Sequence, residues 1–270
     1  MTTTRVRPSA WQRLWWTHPE LSLLVVALLA WLVVLVLHST MPSHAAAQHC
    51  SASPDGGVLH HHGPASPGTA VRCTASSAGM PRFPETPALW TVMAAAMMLP
   101  TTLPVARSIS LNGRWNRRHR NQALFAAGYL AVWSAFGAVA AVFARLAGPG
   151  SGGAMVVSGA LAAAAAWELT RRKRFFLRAC HRVRSLAADG RRADRACIGE
   201  GWRNGLQCTG SCGPMMVPMV LAPHSVWLMV LLFGLVSAEK LVTKGVEHLR
   251  LFAAVLALTA LVVAFGAPLA

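Results

Sequence analysis

Apolar residues along the chain gather in blocks separated by polar and basic stretches. The blocks run Leu21–His38, Ala88–Val105, Gln122–Leu146, Gly153–Leu169, Leu206–Ala222, Ser225–Val242 and Leu251–Ala267. Most have the length of about 17–25 residues that a helix needs to cross a bilayer. The pattern predicts an all-α fold, a polytopic transmembrane helix bundle of about seven spans. Only Pro223 and His224 part the fifth and sixth blocks, so these two read equally as a re-entrant pair, which leaves six spans. The run Leu21–Leu37 is long for the apolar core of a signal peptide, and His38 to Ala45 is a poor cleavage site, so the first block reads as a retained helix.

The stretches between the blocks set the expected domains and topology. Residues 1–20 form an N-terminal tail and 21–38 the first transmembrane helix. Residues 39–87 form an outer loop rich in Pro, Gly, Ser and Ala, and residues 88–270 the main bundle. Within that bundle, residues 170–205 carry many arginines interleaved with Phe175, Phe176, Leu177 and Leu186, which predicts an amphipathic helix lying on the inner membrane surface. With the N-terminus in the cytosol, 22 of the 25 lysines and arginines fall on the cytosolic side, and only Arg72, Arg82 and Arg145 lie outside. The bias of loop charge toward the cytosol fixes this orientation and puts the C-terminus on the extracytoplasmic side.

Composition sharpens the picture. A hydrophobic content of 54%, a charged content of 13% and a mean hydropathy of +0.44 argue against a soluble globular domain. The net charge of +16 would suit a nucleic-acid binder, but it is spread between apolar blocks and leaves no basic globular domain. Contact with anionic lipid headgroups accounts for it, and no nucleic-acid partner is expected.

Candidate chemistry concentrates in the fifth block. At about 100° per residue, Cys208, Cys212, Met215 and Met219 fall on one helix face within an arc of about 60°. Two thiols and two thioethers form a soft donor set, suited first to Cu(I) and second to Zn(II). Pro214 and Pro218 cannot donate to the carbonyls of Gly210 and Pro214, which suggests a broken helix beside the sulfurs. The bland alternative is that Cys and Met simply fill helix interfaces. The same choice applies to Met93 and Met97, neighbours on one turn of the second block. Glu239 and Lys240, at the inner end of the sixth block, are either functional groups or interface markers, and Glu168 holds the matching place in the fourth. Cys180 belongs to the same cytosolic half as Cys208 and Cys212, whereas Cys197 has no evident partner. In the outer loop, Cys50 and Cys73 form either a disulfide or, with His49 and His60–His62, a metal-collecting segment.

Several stretches together resemble a bacterial family of predicted metal-binding integral membrane proteins, a domain of unknown function whose members are also called copper chaperones. They are Trp90–Pro100 with its Ala-Met-Met-Leu-Pro ending, Gly128–Trp133, Thr170–His181, Gly201–Met216 and Glu239-Lys240. Cys208, Met215 and Met216 match that pattern. Phe176 stands where the family has a cysteine, and Ser211-Cys212-Gly213 stands where it has two cysteines and a tryptophan, so the thiol set here is thinner. The resemblance implies a multi-pass protein of a bacterial cell membrane. Such a protein would be no enzyme, and would hold copper through Cys208, Cys212, Met215, Met219 and Cys180, with Met93 and Met97 as further donors. Glu239, Lys240 and Met216 would be supporting groups, and a cuproenzyme or membrane complex the partner. Two other readings stay open. One is a scaffold or assembly subunit that binds no ion. The other is a thiol redox protein cycling Cys208 and Cys212.

Overall fold

The apolar blocks fold into helices, and no strand occurs among the described residues. A computed structural model describes residues 17–40, 87–146, 153–184, 187, 190–222, 225–241 and 248–265. The helices are α1 (Leu21–Thr40), α2 (Pro87–Met98), α3 (Leu103–Asn112), α4 (Arg118–Leu146), α5 (Ala154–Glu168), α6 (Arg171–Cys180), α7 (Gly190–Leu221), α8 (Val226–Leu241) and α9 (Leu249–Ala264). The candidate disulfide Cys50–Cys73 and the histidines of the outer loop lie outside the described residues.

Two helical segments are long and apolar enough to cross a membrane unaided, Leu21–Ser39 and Trp115–Leu146. A third is added if Pro87–Met98 and Pro100–Asn112, bent by 46°, act as one span. That bend falls inside the second block, where one straight helix was expected. Its cause is local: Pro100 and Pro104 bring no N–H to the ladder. The threonines behind the break meet carbonyls there, Thr101 Oγ1 donating to Met98 O and Thr102 Oγ1 to Leu99 O, both at 2.8 Å. The apolar helices α5 and α9 are shorter, at 15 and 16 residues.

The basic stretch 170–205 departs from the single surface helix expected of it. It divides into α6, which packs on α7, and the N-terminal half of α7 itself. Thr170 caps α6, its hydroxyl accepting from Lys173 N. The buried stripe of α6 is Lys173, Leu177 and Cys180, while Arg171, Arg172, Arg174 and Phe175 point away from the core. Ala193, Cys197, Glu200, Gly201 and Asn204 of α7 are likewise buried. A continuous 32-residue helix thus carries a polar half and an apolar half.

Helices α4 and α7 form the most extensive contact in the fold. Small residues permit it. A Cβ added at Gly201 would strike the Phe125 carbonyl, and one at Gly128 would strike the Ile198 carbonyl, so the two backbones touch where these glycines face each other. Arg117 and Arg120 hold Asp194 at the polar end of the pair. Around this pair, α2 packs on α4 and α1, α5 packs on α9 and α7, and Trp90 Nε1 donates to Trp133 O at 2.7 Å.

Candidate metal centre

The stripe read on the fifth block faces the core. Cys208, Cys212 and Met215 are fully buried and Met219 is 1% exposed. The helix is not broken as expected. It continues through Pro214 and Pro218, and the carbonyl that Pro214 leaves without its usual donor is met from outside. Trp167 of α5 donates its indole N–H to Gly210 O at 3.2 Å. An indole thus takes the place of a missing backbone amide, satisfying a group that is costly to bury alone.

Four helices converge on the Cys208 sulfur and its neighbours. Lys240 of α8 donates to Cys208 Sγ with Nζ at 2.7 Å, and Tyr129 of α4 donates its hydroxyl to the same sulfur at 3.0 Å. Cys212 lies one turn on from Cys208 and is buried on the same face of α7. Ser211 ties the third thiol in, its Oγ lying 3.3 Å from Cys212 Sγ and 3.9 Å from Cys180 Sγ of α6. Asn204 fixes the end of α6 by donating to Cys180 O at 2.8 Å.

A second charged group adjoins the first. Lys173 has a fully buried side chain, with Nζ 2.7 Å from Glu168 Oε1 and 2.8 Å from Glu239 Oε2. The Glu239 contact is close but off the hydrogen-bonding direction. Neither Glu239 oxygen, nor Glu168 Oε2, has an aligned hydrogen bond. The same ammonium lies 3.7 Å from Met215 Sδ and so joins this ionic group to the sulfur group. Burial opposes the charge on Lys173, but Cys212, Glu239 and Glu168 outweigh it and hold the ammonium above the ordinary lysine range. Burial also pushes the Cys180 thiol up, against the pull of the Lys240 charge.

The expected residues therefore separate. Cys180, Cys208, Cys212, Met215 and Lys240 come together, and Glu239 joins them through Lys173. Met216 and Met219 are buried on α7. Met93 and Met97 are buried on α2, which packs chiefly on α1 and α4; among the described residues neither makes a polar contact with the thiols. Cys197 is buried without a thiol neighbour among its interactions. Lys173, Tyr129 and Ser211 were not anticipated. A signal for the first two existed: the chain has 25 basic residues but lysine only at 173, 240 and 244, and Tyr129 is its single tyrosine.

Among the described residues, no three His, Cys, Asp or Glu side chains stand in a metal-holding arrangement. The donors that do gather are thiols and a thioether, with an ammonium on one of them. The profile of the PpoB2 copper chaperone family matches residues 87–263, more than half of the chain. The chain belongs to this family. The PpoB2 match begins at α2, ends within α9 and so includes every residue of the centre just described, while α1 lies before it. No curated protein and no solved structure matches the chain.

Proposed function

We propose that this member of the copper chaperone family carries Cu(I) as cargo on Cys208 and Cys212, with Cys180 and Met215 as further donors. One observation carries the reading: both thiols of α7 are fully buried, and Ser211 beside Cys212 reaches the Cys180 thiol of a different helix. The donor set suits the ion. Cu(I) prefers a few soft sulfurs, whereas structural Zn(II) calls for four ligands, typically thiolates with imidazoles. Zn(II) is the second choice. Met219 on the same stripe, and Met93 and Met97 on α2, would serve as stations through which the ion passes. The cargo would go to a membrane-bound or exported cuproenzyme, or across the bilayer.

The protein is proposed to lie in a bacterial inner membrane with its N-terminus in the cytosol. Seven crossings would be α1, the bent α2–α3 pair, α4, α5, the apolar half of α7, α8 and α9. The loop charge bias supports that orientation, and the exposed apolar residues Leu28, Leu29 and Leu32 of α1 suit a lipid-facing surface.

Copper analysis of the detergent-purified chain, kept reduced, tests the cargo. The wild type should retain copper, and Cys208→Ser and Cys212→Ser should lose it. Equal, negligible copper in all three would overturn the reading.

A further inference from the structure

The Cys208 sulfur already has a cation on it. Lys240 Nζ stands 2.7 Å away, and the same ammonium interacts electrostatically with Cys212 and Cys180. The other buried ammonium, Lys173, is matched by two carboxylates, Glu168 and Glu239. Among the described residues Lys240 has no carboxylate partner: its hydrogen bond goes to sulfur, and the residue is 6% exposed. A buried unit charge is felt strongly by any ion arriving beside it.

Resting on the Cu(I) reading above, we propose that Lys240 is the residue that selects cargo by valence. It admits a soft monovalent cation to the sulfur group and rejects divalent ones. Two thiolates, one ammonium and one monovalent ion sum to zero. The same groups with a divalent ion carry one net positive charge, and the Lys240 ammonium repels the second charge of that ion. At the effective dielectric of about 20 that suits protein sites, a unit charge about 6 Å from another shifts an equilibrium by roughly a hundredfold. Softness of the sulfurs cannot provide this discrimination, because thiolates bind soft divalent ions as well. Lys240 is a specificity-determining residue here and not a ligand.

The ratio of affinities isolates the effect. Both kinds of ion need the same thiolates, so any influence of Lys240 on thiol protonation cancels between them. Cu(I) and Zn(II) affinities are measured on the reduced, detergent-purified full chain by competition with chromophoric chelators. Lys240→Met should lower the preference for Cu(I) over Zn(II) about a hundredfold. A fall of less than tenfold in Lys240→Met, with Cu(I) still bound, overturns the role of Lys240 and leaves the Cu(I) reading standing. A wild type that binds neither ion overturns both. A companion measurement needs no variant, should Lys240→Met not fold. Ag(I) and Cd(II) are both soft, and the wild type should take Ag(I) and exclude Cd(II). Tight binding of Cd(II) by the wild type would sink the proposal.

Discussion

Replacing Lys173 by methionine isolates the energetics of the buried ionic group. The substitution keeps a flexible apolar stem of similar length and removes only the ammonium. It leaves Glu168 and Glu239 facing each other with no cation between them, at side-chain exposures of 0%. Breaking a buried pair in this way costs about 3–5 kcal/mol, because the partner's desolvation is no longer offset. For a chain of this size about 1 kcal/mol corresponds to 2–4 °C, so thermal unfolding in detergent should fall by roughly 6–20 °C. A proton taken up by one carboxylate would soften the loss but not remove it. The informative control is the triple variant Lys173→Met, Glu168→Gln, Glu239→Gln, in which no charge is left to strand. It should recover more than half of the lost stability, since the replaced groups act as one unit. A Lys173→Met shift below about 2 °C would refute the reasoning. So would a triple variant no better than the single one, because the loss would then come from packing and not from stranded charge.

Two further substitutions probe the frame around the sulfurs. Gly201→Ala drives a methyl into the Phe125 carbonyl and should cost about 1–3 kcal/mol as α4 and α7 part. Gly199→Ala, on the same helix with open space at its Cβ, should be neutral or stabilise by about 0.5–1 kcal/mol; equal unfolding temperatures for the two variants would contradict the close helix approach. Trp167→Phe removes the donor to Gly210 O and should cost about 1–3 kcal/mol. A Trp167→Phe protein as stable as wild type would mean that another group meets that carbonyl.

Much of the helix content was legible because each apolar block is long and continuous, and the sulfur stripe because helical periodicity alone places Cys208, Cys212, Met215 and Met219 together. The bend in the second block was not. It depends on Pro100 and Pro104 and on threonine hydroxyls that bond to the carbonyls of Met98 and Leu99, details that mean hydropathy does not register. Lys173 escaped because it stands in the run Arg171-Arg172-Lys173-Arg174, where a helix expected to lie on a membrane surface would turn every cation toward water. Its burial is decided by what lies opposite, two carboxylates contributed by α5 and α8, and those pairings are set by tertiary contact.

The choice of lysine over arginine at the two buried positions then has a physical sense. Of the chain's 25 lysines and arginines, all but Lys173, Lys240 and Lys244 are arginine. A guanidinium is broad and planar, with five donors that all need acceptors once buried. An ammonium is a compact point charge on a slender stem. It fits between Glu168 and Glu239 at Lys173, and on a single sulfur at Lys240. The first cation faces carboxylates and the second a sulfur, so the two buried ammonium groups differ in what stands opposite them. A cargo ion held at the sulfurs would meet the Lys240 charge directly, which ties the valence of the ion to a side chain that also joins α8 to α7.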